Sequence, residues 1–300
     1  MRISKHIGVF VLGLGFGAIA GMWVWGSVPA RAQDLSKSTT RSFGSVNAVE
    51  GGGADTALPK SKLGEKLAED LFSAGANAYF DGDLGSAVKR FEQAAEDGHP
   101  LAQWKLGQMY QEGEGVGASP TIAFKYFKDV AIGRADEPPN SPVAPFVAYS
   151  LVAVGKYYLN GIEGTDIRVN PGKAMKIFRY AASFYGNAEA QFSLGRMYFD
   201  GVGGVLDKYL AARWLKLAAL KGHHKSQALL GRMMFLGDGI PQRPSEGLMW
   251  LTLARERAKG REDDWIRDDQ ERAFALATET ERRTAVAGAG QWNHAFAEER

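Results

Sequence analysis

Two pairs of adjacent carboxylates, Asp263-Asp264 and Asp268-Asp269, are the residues that come nearest to a general acid–base arrangement. Two carboxylates share proton-transfer work only when they converge on the same substrate atom. Residues five apart on an α-helix lie about 140° apart around its axis, so these pairs do not converge. We therefore expect them to form the solvated face of a helix near the end of the chain.

Two other patterns that could support chemistry lack the partners that they need. Gly113-x-Gly115-x-Gly117 has neither a preceding strand nor the lysine and hydroxyl residue that complete a phosphate-binding loop. The five histidines are not at metal-ligand spacing, and the chain has no cysteine for a thiolate zinc site, a disulfide or a cysteine nucleophile. The sequence thus predicts no catalytic residue, no cofactor and no metal.

The adjacent histidines His223 and His224 leave one alternative open. His223 and the earlier His99 each follow a glycine at the end of a repeated segment, which favours a structural role for both. The alternative is that protonation of His223 or His224 in an acidified compartment weakens packing there.

The elements that position all these residues follow from a phrase that recurs along the chain. The phrase Leu-Gly-x-x-Tyr-x-x-Gly begins at Leu106, and variants begin at Val154, Leu194 and Leu230; a weaker first copy has Ala76 in the place of the glycine. The glycine position advances by 31, 48, 40 and 36 residues, which is close to the period of helical-hairpin solenoids. We expect an all-α, right-handed superhelical solenoid of about five helix hairpins. Such a protein binds its partners through a long surface rather than in a pocket.

The repeated glycines also indicate how the helices pack. A glycine inside a helix costs about 1 kcal/mol relative to alanine, so four glycines at one repeat position indicate close approach of a neighbouring helix. The second helix of each later hairpin carries a recurring pattern. The pattern begins with a small residue and continues with large apolar residues and further small residues in a fixed order. The positions that we expect to define the repeat are Leu106, Gly107, Tyr110, Gly155, Tyr158, Leu194, Gly195, Tyr198, Trp214, Leu230, Gly231 and Trp250.

Residues 1–32 have the features of a secretory signal peptide. Arg2 and Lys5 precede a long apolar stretch, and Ala30-Arg31-Ala32 predicts cleavage between Ala32 and Gln33. An uncleaved membrane anchor remains an alternative because the apolar stretch is long enough to span a bilayer. Cleavage leaves 33 basic and 34 acidic side chains, a balance that disfavours a nucleic-acid binder.

The rest of the chain divides by composition. Residues 33–60 are rich in Ser, Thr and Gly, so we expect a disordered leader. Residues 61–260 form the solenoid, and the four prolines of 133–145 predict a loop that explains the 48-residue step. Residues 261–300 predict a capping helix from Asp263 to Thr278, followed by a tail that is only partly ordered from Gly288 onward.

A polar or basic residue follows each repeat glycine, and an apolar residue lies four positions before it on the same helix face. If the first helices line the concave surface, these positions form a stripe of apolar anchors beside cations, suited to an acidic partner. The alternative is that the aromatic residues face the core and the cations are merely solvated. The candidate partner-binding residues are Trp104, Gln108, Lys156, Phe192, Arg196 and Arg232.

These motifs together resemble the Sel1-like repeat, a relative of the tetratricopeptide repeat, over roughly residues 65–260. The signs are the Leu-Gly-x-x-Tyr phrase, the Gly-x-Gly-Val turn and the Gly-His pairs at 98–99 and 222–223. Within that superfamily the chain is similar to the rhizobial negative regulators of exopolysaccharide production, the ExoR type. The stretches that carry this similarity are 94–107, Phe146-Val147-Ala148 after the proline-rich insertion, and 247–252 followed by Trp265-Ile266.

The resemblance implies a periplasmic, non-enzymatic protein that binds the sensor domain of a membrane histidine kinase, holds it inactive and so restrains exopolysaccharide synthesis. It also implies a periplasmic protease that removes the inhibitor, and neither nucleic acid nor a cofactor as a partner. The longer leader and Met234 at the usual tyrosine position depart from the family pattern. Two other functions stay open: a general envelope scaffold and, more remotely, a polysaccharide or cell-wall enzyme.

Overall fold

The computed structural model describes residues 62–204 and 206–298, apart from the side chain of Leu63. The signal peptide, its cleavage point between Ala32 and Gln33 and the leader 33–60 lie outside these residues. The described segments form twelve α-helices, one short 3-10 helix (Arg261–Asp263) and no β-strand. The helices are α1 Lys62–Phe80, α2 Leu84–Glu96, α3 Pro100–Glu112, α4 Pro120–Gly133, α5 Ala144–Asn160, α6 Pro171–Ser183, α7 Ala188–Asp200, α8 Lys208–Leu220, α9 His224–Leu236, α10 Pro244–Arg257, α11 Asp264–Leu276 and α12 Glu279–Glu298.

The first ten helices form five hairpins, each built from one odd-numbered and one even-numbered helix. Each of these ten helices packs against its neighbours in the chain, and α3 also touches the next first helix, α5. At the C-terminal end α9 also contacts α11, and α10 also contacts α12. This is the arrangement of a solenoid, in which each unit contacts only the adjacent units. Within the described residues, no helix combines the length and the apolar character needed to cross a membrane.

Recurring capping residues set the helix boundaries. Asn170, Asn187 and Asp207 each accept a hydrogen bond from the backbone N–H three residues later, which satisfies a donor that the helix leaves unpaired. His99 and His223 do the same with ring nitrogens, which accept from the N–H groups three residues on. The Gly-His pair is thus a helix junction, where the glycine turns the chain with positive φ and the histidine starts the next helix. This geometry gives both histidines the structural role that the sequence favours.

The repeat glycines lie where two helices of a hairpin touch. A Cβ atom on Gly107 would be 2.6 Å from Cε1 of Phe127, and one on Gly155 would be 2.5 Å from Cε1 of Phe178. Both phenylalanines are fully buried, and their rings fill the space that the missing side chains leave. The close approach predicted from the glycines is therefore present in the structure.

The proline-rich segment is a loop tied down by two tyrosines. Helix α4 ends at Gly133 and α5 begins at Ala144, so Pro145 lies inside the first turn of α5, where proline is well tolerated. The Tyr180 hydroxyl donates to the carbonyl of Ala135 at 2.6 Å, and the Tyr185 hydroxyl donates to the carbonyl of Glu137 at 3.1 Å. Burial raises the pKa of both tyrosines, so both stay protonated donors.

The C-terminal end differs from the sequence-based expectation of one capping helix and a partly ordered tail from Gly288. A second helix, α12, continues to Glu298 and packs on α10. Its buried face consists of Ala285, Ala289 and the half-buried Trp292, which lies edge-on to Trp250. The segment is rich in alanine and has few large apolar residues, so the helical pattern by which an amphipathic helix is usually recognised is weak.

Candidate functional site

The aromatic members of the first-helix stripe pack within the solenoid. Trp104 of α3 is half-buried, and its ring lies 4.7 Å from that of Phe146 and 5.9 Å from that of Tyr149, both on α5. Phe192 of α7 is buried, with its ring 5.1 Å from that of His223. These rings join neighbouring hairpins, so the structure does not present them as exposed anchors.

The cations of the stripe each lie beside a carboxylate of the chain itself. Lys156 Nζ is 2.6 Å from Glu189 Oε1, and Arg196 Nε is 3.0 Å from Asp200 Oδ2 one turn along α7. Arg232 is 3.2 Å from Asp269 and also lies over the ring of Phe199. The remaining member, Gln108, is half-buried.

The stripe is therefore not assembled as an exposed set of anchors beside available cations. Partner binding at Trp104, Gln108, Lys156, Phe192, Arg196 and Arg232 stays a prediction. A charge reversal at Arg232 would also remove the ion pair with the buried Asp269, so it cannot serve as a purely surface change.

The acidic residues near the C-terminus correct the expectation of a solvated face. Asp263 is 1% exposed and Asp269 is 7% exposed, whereas Asp264 and Asp268 face solvent. Asp263 Oδ2 accepts from the backbone N–H of Lys259 at 2.8 Å and lies 3.0 Å from His224 Nε2. Asp269 pairs with Arg232 and Arg272. One acid of each pair is thus a buried structural anchor, because α9 and the α10–α11 junction cover it.

A second network, which is only partly buried, joins three elements of successive hairpins at Glu189. Its carboxylate contacts Lys156 Nζ at 2.6 Å and His223 Nε2 at 2.9 Å. Burial alone would raise the pKa of Glu189, but the hydrogen bonds and charges of His223 and Lys156 outweigh burial and lower it to about 2. The ionised carboxylate thus holds α5, α7 and the α8–α9 junction together.

Replacement of Glu189 by glutamine should make the free energy of unfolding less dependent on pH in the acid range. The pKa of Glu189 is lowered from 4.5 to about 2 on folding, so its stabilisation is present above its ordinary pKa and is lost as the pH falls towards 2. Urea unfolding followed by circular dichroism between about pH 5 and about pH 2.5 would measure this. Glu163→Gln, at an exposed loop position, is the matched control and should parallel the wild type. Parallel curves for Glu189→Gln would refute the role of the network.

The contacts of the adjacent histidines bear on the hypothesis that their protonation weakens packing. His223 Nδ1 accepts from the backbone N–H of Ser226, which leaves the ring proton on Nε2, facing Glu189. His224 Nε2 faces Asp263. A proton added to His224 would lie beside Asp263, whereas a proton added to His223 would occupy the Nδ1 that accepts from Ser226 and would remove that cap. The weakening of packing on protonation therefore stays a prediction.

The second helices carry a surface feature that the sequence analysis passed over. Basic residues occupy the positions two and five residues after the small residue that begins the repeat pattern of α4, α6 and α8. We call these six residues the second-helix row: Lys125, Lys128, Lys176, Arg179, Arg213 and Lys216. The spacing was visible in the sequence, but the stripe hypothesis considered only the first helices. Within residues 62–204 and 206–298, no group of three or more histidine or acidic side chains is placed to hold a metal ion.

Comparison with known families matches the hairpins to one repeat type. A family model described as Sel1 repeat matches residues 100–128, 148–183, 188–223 and 224–258. These segments correspond to the hairpins α3–α4, α5–α6, α7–α8 and α9–α10. The repeat type inferred from the motifs is confirmed.

Two curated relatives resemble most of the chain. The exopolysaccharide production negative regulator of Rhizobium leguminosarum bv. viciae is 36% identical over 217 residues, covering 72% of this chain and 79% of the relative. The regulator of the same name from Rhizobium meliloti (strain 1021) is 35% identical over 216 residues, covering 72% and 78%.

Two solved structures share the fold. A Sel1 repeat protein from Oxalobacter formigenes has a TM-score of 0.57 at 20% identity and covers 90% of this chain and 99% of its own. A protective antigen of uropathogenic Escherichia coli with an SLR fold has a TM-score of 0.50 at 20% identity and covers 77% of this chain and 54% of its own. At this identity the likeness shows the fold alone, and it confirms the predicted all-α solenoid.

Proposed function

The chain belongs to the Sel1-repeat family of exopolysaccharide production negative regulators, and we propose that it restrains exopolysaccharide synthesis from the periplasm. In this proposal it binds the sensor domain of a membrane histidine kinase and favours the inactive state of the kinase. A periplasmic protease that removes the inhibitor is part of the same proposal.

The observation that carries the proposal is 35–36% identity to two regulators of this name over 72% of the chain. Sel1 repeats support a protein partner, because a solenoid offers a long surface built from successive hairpins. The repeat fold and the regulator-named relatives likewise support a non-catalytic role. The periplasmic location is supported by the signal-like features of residues 1–32.

Inhibition by binding imposes a thermodynamic condition on this protein. A ligand shifts a two-state equilibrium only by the difference between its affinities for the two states. The chain must therefore bind the inactive arrangement of the sensor domain more tightly than the active one. A surface that held both arrangements equally would leave the kinase output unchanged, however tight the binding.

Deletion of the gene is expected to raise secreted polysaccharide several-fold, and the wild-type gene supplied in trans should restore the basal level. Polysaccharide is measured as total sugar precipitated from the culture medium. The kinase is identified by affinity purification of the tagged protein from envelope extract, and its deletion in the same background should abolish the increase. Unchanged polysaccharide in the deletion strain would contradict the proposal and would favour an envelope scaffold instead.

A matched pair of complementing genes tests the location. One gene keeps residues 1–32, and the other begins at Gln33 behind a start codon, so that its product is not exported. Only the first is expected to restore basal polysaccharide, because the sensor domain lies outside the cytoplasmic membrane. Restoration by both genes would contradict a periplasmic site of action.

A further inference from the structure

The second-helix row is a regular basic surface across three consecutive hairpins. Lys125 and Lys128 follow Ala123 on α4, and the same two positions are basic on α6 and α8. Residues three apart lie on one face of a helix, so each helix presents its two cations on one side. The repeat thus places similar cation pairs on successive second helices.

The helices that carry the second-helix row contain few acidic residues to offset its positive charge. Helices α6 and α8 each contain three basic residues and no acidic residue. Within the part of the chain that the structure describes, Lys125, Lys176 and Arg213 are exposed and have no carboxylate within 4 Å. Asp129 is the one acidic residue of α4; burial raises its pKa, whereas Lys125 and Lys128 act in the opposite direction. By contrast, three first-helix cations are paired with carboxylates of the chain.

An apolar groove adjoins the row at α8. A cavity of about 220 Å³ is lined by α8, by α9 and by the loop that joins α9 to α10. Its apolar lining includes Met234 and Ile240, and Arg213, Lys216 and Arg243 also line it. Tyr209, at the edge of α8, also lines the groove and is 65% exposed. Apolar lining and cations therefore meet in one place.

We propose that the second-helix row and this groove bind an acidic polypeptide segment, with its apolar side chains in the groove and its carboxylates along the row. A polypeptide fits better than an anionic polysaccharide, because a polysaccharide supplies carboxylates but no apolar side chains for the groove. Charge complementarity of this kind sets association rate and specificity, while the aromatic and arginine residues at the groove provide binding energy. The identity of the partner rests on the proposed function, in which the segment belongs to the sensor domain.

The test reverses the three exposed cations that have no carboxylate within 4 Å, in the triple variant Lys125→Glu, Lys176→Glu, Arg213→Glu. The control is Lys66→Glu, Arg261→Glu, Arg283→Glu, which changes the net charge equally at exposed positions outside the row. Affinity for the purified sensor domain of the co-purified kinase is measured by fluorescence anisotropy at two salt concentrations. The row variant should bind about tenfold or more weakly and lose most of the salt dependence of the wild type. Tyr209→Ala should weaken binding at both salt concentrations.

A second probe separates failure of this inference from failure of the proposed function. It is a short fluorescein-labelled peptide of glutamate, leucine and alanine, with a glutamine-for-glutamate version as its control. If no sensor domain binds the wild type, the proposed function fails and the peptide alone decides the inference. Binding of the acidic peptide that the row variant loses supports the inference. Equal binding by wild type and row variant, or tighter binding of purified anionic polysaccharide than of the peptide, would overturn it. Circular dichroism confirms that each variant is folded.

Discussion

Replacing Gly247 with alanine is expected to lower the free energy of unfolding by about 3 kcal/mol. A Cβ atom at this position would lie 2.5 Å from the backbone nitrogen of Phe235 and 2.7 Å from the carbonyl oxygen of Gly231. Both contacts are with the backbone of α9, which cannot rotate away as a side chain can. Helices α9 and α10 would have to separate where they cross, and the loosened packing would outweigh the gain of about 1 kcal/mol in helix propensity.

Gly290→Ala provides a control of the opposite sign. Gly290 also lies inside a helix, α12, but a Cβ atom there would have no neighbour within 4 Å. The same chemical change should therefore raise the free energy of unfolding by about 0.5 to 1 kcal/mol. Urea unfolding of both variants measures the difference. If Gly247→Ala proved as stable as the wild type, the close backbone contact between α9 and α10 would not require glycine at this position.

Replacement of Asp263 by alanine is expected to cost about 3 kcal/mol, because it removes one partner of a buried charged network. The carboxylate accepts from the Lys259 N–H, contacts His224 and lies 3.7 Å from Lys225. Burial alone would raise the pKa of Asp263, but the Lys259 N–H and the charges of His224 and Lys225 together lower it. Its stabilisation is therefore present above the usual pKa of 3.8 and is lost as the pH falls through the lowered value.

The neighbouring Asp264 is the matched control. Its side chain is 58% exposed and pairs with Arg267 one turn along α11, so Asp264→Ala should cost about 1 kcal/mol or less. Thermal unfolding at neutral pH compares the two variants. The difference between wild type and Asp263→Ala should shrink in acid, and a difference that is constant down to about pH 2 would contradict ionic anchoring by Asp263.

The fold was predictable because the residues that determine each hairpin lie close together in the sequence. The recurring phrase predicts where the first helix of each hairpin ends, and the Gly-His pairs mark where the next hairpin begins. The phrase also predicts about five helix hairpins, and the first ten helices form five. Close packing at Gly107 and Gly155 also follows from sequence, because a helix rarely contains glycine at a repeated position without a neighbour that requires it.

The surface was harder to predict because its character depends on contacts between distant residues. A helical pattern places Lys156 and Arg232 on the first helices, but it cannot show that Glu189 and Asp269 reach them from later helices. The same limit explains Asp263, whose burial comes from α9 and from the junction after α10. The second-helix row differs, since its spacing is local and needed only the second helices to be compared with one another.

Among the residues that the structure describes, the C-terminal end of the array is covered by more helices than the N-terminal end. Helices α11 and α12 cover α10, whereas α1 has its main helix contacts with α2 and leaves Phe80 84% exposed. In a linear array each unit is stabilised only by its neighbours, so the least supported unit frays first. Among the described residues, we therefore expect local unfolding to begin at the N-terminal hairpin and the C-terminal half to retain its structure longest.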